Sequence, residues 1–323
     1  MMKKAILPLL SLLALAVLLH GLATGSLDLD GPTLRAGLMG RDALAAQVLW
    51  ELRLPRLLAA FLTGGLLALA GVLMQVLLRN PLADPYVLGI SGGAASGALA
   101  AMLLGLGGIW FQGAAFGGAF GTMLLVFALA HGRGSWTPAR LLLTGVVVAA
   151  GWGAVIGLLL SLSPDGTLRG MLYWLMGDLS QARPTAWSGA ILLLGLLAGL
   201  ALARPLNLLA GGELQAAALG VEVKRLRYGI YLLASLLAAS AVTLAGSVGF
   251  IGLVTPHLVR LMGARDHRLL IPASLLLGGT LLTLADTLSR SLFAPQQLPV
   301  GVLTALIGVP LFLYLLQRGS ARP

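Results

Sequence analysis

The sequence predicts an all-α polytopic membrane protein with ten transmembrane helices. Hydrophobic residues make up 58% of the 323-residue chain and charged residues only 10%. A soluble domain carries about 25% charged residues, so this chain cannot cover a water-exposed surface. Apolar stretches near the ~20 residues needed to cross a bilayer recur along its whole length. Short segments, most of them carrying proline or arginine, separate them. The absence of cysteine excludes disulfides, thiol catalysis and cysteine–zinc sites.

The first apolar window, 5–22, follows Lys3 and Lys4. A signal peptide begins the same way, but this run is long and no clear A-x-A site follows it, so a retained first span is expected. Further windows fall at 55–78, 87–104, 113–130, 141–162, 187–203, 228–246, 249–262, 269–293 and 300–316. The eighth is short, and its boundary with the seventh is not defined by the pattern. The segment between the second and third windows, RNPLADPYVLGISGGAASG at 79–97, contains Asn80-Pro81 and Asp84-Pro85. Both dipeptides break a helix, because proline lacks an N–H and restricts the residue before it. Broken polar backbone within a membrane protein is tolerated where it is buried in protein or lines a path.

Orientation follows from charge. With the N-terminus inside, 14 of the 21 lysines and arginines fall on cytoplasmic segments, Arg133 and Arg322 among them. The other seven, Arg35, Arg41, Arg53, Arg56, Arg169, Arg183 and Arg290, fall outside. This bias satisfies the positive-inside rule and places both termini in the cytoplasm. The net charge of +10 therefore reads as a membrane-face pattern, with no nucleic-acid partner implied. Glycines recur at four-residue spacing in Gly93/Gly97, Gly113/Gly117/Gly121 and Gly153/Gly157, which reads as close helix packing in lipid. Residues 89–97 do not follow the GxGxxG spacing and no strand precedes them, so a nucleotide loop is rejected.

Several kinds of chemistry are missing. The only lysines are Lys3, Lys4 and Lys224, so no Walker A loop is present. The four histidines form no local cluster. Asp286 is the one acid well inside a window, and Arg290 lies four residues later on the same helix face, so the two form an expected local ion pair. An ion-coupled secondary transporter, the alternative reading, needs buried ionisable relays that are nearly missing here. A membrane enzyme would need a polar catalytic cluster. The chain reads instead as a conduit driven by another protein. The longest polar segment between late windows, 204–227, predicts a short surface helix at GELQAAALG.

Six motifs in order carry a resemblance: RLPR at 53–56, RNPLADPYVLGISGGAASG, GELQAAALGV, GFIGLVTPHLVR at 249–260, DHRLLIPAS at 266–274, and LADTLSR followed by LPVG ending at Gly301. Together they resemble the FecCD permease family of ABC importers for iron-siderophores, haem and vitamin B12, over about 47–316. The resemblance implies the type II ABC importer permease fold, one transmembrane permease domain over 1–323, and residues 204–227 as its cytoplasmic coupling segment. It implies a homodimer in the bacterial inner membrane, two cytoplasmic ABC ATPase subunits, a periplasmic substrate-binding protein, a metal-chelate substrate and no cofactor.

Residue roles follow from the same resemblance. Arg53, Arg56 and Arg290 match arginines that dock the binding protein, and Arg56→Glu is expected to weaken docking while the subunit still assembles. Asn80, Pro81 and Leu82 match a cytoplasmic gate, with a second contribution from Thr137 in the loop 135–139, where the sequence departs from the family pattern. Thr144, Gly145, Gly151, Gly153 and Gly157 would line the path. Glu213, Ala217, Leu219 and Gly220 would seat on the ATPase. His257 reads as a structural hydrogen-bonding residue. WLMGDLS at 174–180, expected in an outer loop, leans toward a corrinoid substrate. Residues 67–75 and 243–251 loosely echo each other, as inverted repeats do.

Overall fold

The computed structural model describes residues 2–25, 29–131 and 137–319; Arg133, Ser135, Trp136 and Arg322 lie outside the described residues. All regular elements among the described residues are helical. In chain order they are α1 (Met2–Ala23), α2 (Gly31–Leu38), α3 (Ala43–Gln47), a π-helical stretch (Val48–Arg53), α4 (Leu54–Leu77), a 3-10 turn (Pro85–Leu88), α5 (Ile90–Leu103), α6 (Gly108–His131), α7 (Pro138–Ser161) and α8 (Asp165–Leu175). They continue as α9 (Ala186–Ala201), α10 (Ala203–Gly211), α11 (Glu213–Ala218), α12 (Val223–Ala245), α13 (Ile251–Leu261), α14 (His267–Ser291) and α15 (Val300–Gly319).

Each of the ten windows contains one main helix. Six are long and apolar enough to cross a bilayer, and α9 reaches that length only together with α10, from which it is bent by 62°. Shorter apolar helices α5, α13 and α15 fill the other three. The chain also builds helices that hydropathy does not mark. Asp30 and Asp42 cap α2 and α3, each accepting a backbone N–H at 3.0 Å from Thr33 and Ala45 respectively. Helix α8 takes up Trp174 and Leu175, so WLMGDLS begins inside a helix and not in a loop. The seventh and eighth spans part at Gly246 and Phe250, both with positive φ, at 67° and 70°. Residues 67–75 are continuous helix whereas 243–251 contain this break, so the sequence echo does not extend to local structure.

Helix α4 is the spine. Within its apolar stretch 83% of residues are buried, against 11% for α7. Small residues make this possible. A Cβ on Gly71 would overlap the Gly252 carbonyl of α13, and one on Gly64 would overlap the Gly278 carbonyl of α14. Backbones therefore touch, as small residues allow in membrane bundles. Gly93 and Gly97 of α5 pack in the same way on Gly118 and Ala114 of α6. The other two stripes do not. Among the described residues, nothing beyond their own helix lies within 4 Å of a Cβ at Gly113, Gly117, Gly121, Gly153 or Gly157. The packing face of α6 lies one residue along, through Gly118 and the buried Ala115 and Ala119, and the expected glycine stripe points outward.

Candidate functional site

The end of the bundle where α1 and α14 finish and α4 begins collects the three arginines singled out in sequence. Arg56 binds Asp286 through Nε at 3.0 Å to both carboxylate oxygens and through Nη2 at 2.8 Å. Its Nη1 donates to Gln297 Oε1 at 2.6 Å. Arg290 Nε lies 3.5 Å from the same carboxylate, and its Nη2 donates to the Gly21 carbonyl at 3.1 Å. Arg53 donates to the Leu22 and Ala23 carbonyls that end α1. The expected Asp286–Arg290 pair is present, but Arg56, 230 positions away in sequence, is the closer partner. All four side chains are buried, Asp286 completely.

The cluster lies beneath a cavity of about 410 Å³ bordered by Glu51, Arg183 and Gln297 as well as the three arginines. A larger cavity of about 940 Å³ adjoins it and shares residues 180–183 and Gln297. Phe111, Tyr173, Trp174 and Arg169 line the larger one, with the Arg169 guanidinium 5.6 Å from the Tyr173 ring centroid.

Helix α7 runs from this end to the other with most of its surface open. The pathway set divides along it. Gly151, Gly153 and Gly157 are exposed and Thr144 is half-buried. Gly145 is buried, where a Cβ would meet Val87 and Leu88 of the 3-10 turn. That glycine is required by the close approach of α7 to residues 85–88.

At the opposite end, residues 78–84 form a compact bend. Arg79 adopts φ 49°, and the Asn80 N–H donates to the Gln75 carbonyl at 3.1 Å. Asn80 Oδ1 accepts the Leu82 N–H at 2.9 Å, which holds the turn around Pro81. Asp84 accepts the Tyr86 N–H at 2.8 Å. Burial pushes the Asp84 carboxyl up to about 6, against that hydrogen bond, which lowers it. Thr137 caps α7 by accepting the Arg140 N–H at 3.2 Å. Asn80 and Thr137, distant in sequence, line one cavity of about 470 Å³; Pro81 and Leu82 do not border it.

The coupling segment is two helices where one was expected. Ala216 is buried and anchors α11, while Leu214 is 87% and Leu219 60% exposed. Ala217 is also exposed. Glu213 is held by Arg227 at 2.7 Å, and Gly220 turns the chain with φ 82°. His257 sits half-buried in α13. Among the described residues, no group of three or more His, Cys, Asp or Glu could hold a metal.

Sequence reasoning did not single out Gln297, which binds Arg56, the exposed Leu214 of α11, or Gln75, whose carbonyl accepts the Asn80 N–H. Gln75 carried a signal, being a polar residue at the end of a long apolar run; a leucine in a helical segment carries none.

Comparison with known proteins agrees with this architecture. The family model for the FecCD transport family matches residues 12–318. The hemin transport system permease HmuU of Yersinia pestis is 40% identical over 335 residues, covering 96% of each chain. The cobalamin import permease BtuC of Halobacterium salinarum is 42% identical over 286 residues, covering 88% of this chain and 77% of its own. A solved structure, assigned to the metal-chelate type of ABC transporter and captured inward-facing, superposes with a TM-score of 0.84 at 32% identity, covering 98% of this chain and 99% of that one. The chain is a transmembrane permease of the FecCD transport family.

Proposed function

We propose that this chain forms the membrane path of an ATP-driven importer for a metal chelate. Helix α7 carries the reading: a 24-residue apolar helix with an open glycine-bearing face, joined at one end to a bend with Asn80 and Thr137 in a common cavity. A bulky solute that must be released, not held, suits such a wall. Two copies of the chain would bring two α7 faces together around the path. Gly151, Gly153, Gly157 and Thr144 line it in this reading, and Asn80, Pro81, Leu82 and Thr137 gate its cytoplasmic mouth.

The same reading orients the molecule, with the arginine end in the periplasm and both termini in the cytoplasm of a bacterial inner membrane. The cavity over Arg53, Arg56 and Arg290 takes acidic side chains of a substrate-binding protein, a match to guanidinium chemistry. Residues 204–227, through Glu213, Ala217, Leu219 and Gly220, seat on the cytoplasmic ATPase. The named substrates of the relatives, hemin and cobalamin, together with the ferric siderophores of the sequence reading, define the class to test. The lean of 174–180 toward a corrinoid stays within it. A secondary transporter gains nothing from the structure, since Asp286 is already held between Arg56 and Arg290.

The test is reconstitution of the full complex in proteoliposomes with ATP inside or outside, followed by uptake of labelled cobalamin, hemin and a ferric siderophore. ATP-dependent accumulation of one of them supports the reading. Accumulation driven by a proton or sodium gradient without ATP overturns it.

A further inference from the structure

One polar chain at the opposite end links two segments given roles above, the coupling segment and the bend. It begins on α10, where Asn207 grips the start of α14. Asn207 Nδ2 donates to Asp266 Oδ1 at 2.8 Å. Its Oδ1 accepts the His267 N–H at 3.0 Å and lies 2.6 Å from the His267 Nδ1. Asp266 also caps α14 by accepting the Arg268 N–H at 2.9 Å, and these contacts hold its carboxyl below the usual range. The α13–α14 turn that follows Arg260 is itself fixed. Gly263 donates to the Arg260 carbonyl at 3.0 Å, Ala264 to the Val259 carbonyl at 3.2 Å, and Gly263 supplies the φ of 93° that this turn needs.

The other side of this corner is tied to α4. Arg260 Nη1 donates to Gln75 Oε1 at 2.6 Å. Gln75 Nε2 donates back to the Leu253 carbonyl of α13 at 3.2 Å. Gln75 is buried at 4% exposure, so these bonds do not compete with water. The backbone carbonyl of the same Gln75 accepts the Asn80 N–H. One residue therefore holds α13 with its side chain and the root of the bend with its main chain.

We propose that the α13–α14 corner is a positioning element that transmits displacement of the coupling segment to residues 79–84, gripped by Asn207 on one side and tied through Arg260 to Gln75 on the other. The proposal rests on the importer reading above. Coupling is carried by packed and hydrogen-bonded contacts between elements that move as units. Gln75 and His267 are buried and Arg260 and Asn207 half-buried, whereas Asp266 is exposed, so the α4 side of the corner is the drier tie. A shift of α10 drags the start of α14 and the corner. The corner then moves relative to Gln75 only by breaking a charge-assisted bond.

The test uses the whole complex and reads chelate moved per ATP hydrolysed. The decisive variant is the double replacement Gln75→Leu/Arg260→Met. It removes the cation together with its acceptor, so no buried charge is left unpaired, and only the Leu253 carbonyl loses the Gln75 amide. Asn207→Leu cuts the other grip, and Arg260→Lys restores a cation for Gln75. In the double variant, assembly and ATP hydrolysis persist while chelate moved per ATP falls roughly tenfold, the range of ordinary site-to-site coupling. Adding Asn207→Leu lowers it little further, and Arg260→Lys recovers much of it. An assembled double variant with an unchanged transport-to-ATP ratio overturns the proposal while leaving the importer reading intact. A wild-type complex that hydrolyses ATP but moves no chelate overturns both.

Discussion

Replacing Asp286 with alanine tests whether the arginine cluster holds the helices together. Asp286 is fully buried and accepts three hydrogen bonds from Arg56 within 3.0 Å, with Arg290 at 3.5 Å. Among the described residues, its removal leaves two buried guanidinium groups with only neutral partners, Gln297 Oε1 and the Gly21 carbonyl. Breaking one buried pair by deleting a partner costs about 3–5 kcal/mol, and two stranded cations place this variant at the upper end. The loss is expected to lower the melting midpoint by roughly 5–10 °C. The double variant Arg56→Leu/Asp286→Leu removes a cation with the anion, so it should recover at least half of the loss. The assay is thermal melting of the detergent-solubilised protein, followed by size-exclusion chromatography. An Asp286→Ala midpoint indistinguishable from wild type, or a double variant no more stable than the single, refutes the reasoning. The same geometry revises the expectation for Arg56→Glu. That change sets a carboxylate against Asp286, so assembly suffers together with docking, and the exposed Arg183 at the cavity edge is the cleaner docking probe.

Four further outcomes follow. Gly71→Ala should destabilise by about 1–3 kcal/mol, because its Cβ meets a backbone carbonyl that cannot rotate away; Gly153→Ala, with open space around it, should melt within about 0.5 kcal/mol of wild type. Asp84 has a raised folded pKa of about 6 against 3.8, so the folded state binds the proton more readily than the unfolded one. Stability therefore falls as pH rises through about 4 to 6; Asp84→Asn should be more stable than wild type at pH 7.5, by on the order of 1–3 kcal/mol, and lose that advantage near pH 4, as read by melting across the pH series. Leu214→Glu should leave melting unchanged, since the side chain is 87% exposed, while weakening co-purification with the ATPase subunit. Thr137→Val removes the cap that binds the Arg140 N–H and should cost about 1 kcal/mol in the same melting assay.

Most of the ten spans were legible because they are apolar runs bounded by charge or proline; the third and fourth, and the seventh and eighth, are parted by neither. Helices α2, α3 and α8 were not, because they are short and lie outside the apolar windows; only the capping aspartates Asp30 and Asp42 signal two of them. Glycine spacing identified α5 correctly and misread α6. A four-residue repeat names a helix face but not what lies opposite, and Gly118, outside the repeat, turned out to face Gly93. The arginines were found by motif. Their anion was assigned to the neighbour in sequence, because a bond between residues 56 and 286 depends on how α4 packs on α14, which no local pattern encodes. Asn80 and Thr137 were placed in one gate by resemblance, and the structure puts both beside one cavity.

The distribution of contacts bears on where motion is cheap. Helix α4 touches α13 and α14 backbone to backbone at Gly71–Gly252 and Gly64–Gly278. Packed interfaces of this kind rearrange as units or not at all. Both ends of α4 also carry polar clamps, Arg56 with Asp286 at one and Gln75 with Arg260 at the other. A change at either end is thus felt along one stiff rod. Helix α7 is the opposite case. It has few buried residues, Pro138 and Thr137 mark its start, and its close backbone approach is Gly145 to residues 87–88. Tilting α7 about that contact exposes little new apolar surface to water, because most of its surface already lies outside the fold of this chain. Bending α4 would open a core that is 83% buried. In the proposed importer, opening and closing of the path falls to α7 and the bend at 79–84, which move against the core where α4 meets α13 at Gly252 and α14 at Gly278. This sharing of roles explains why one family of residues is glycine on an open face and the other glycine in backbone contact.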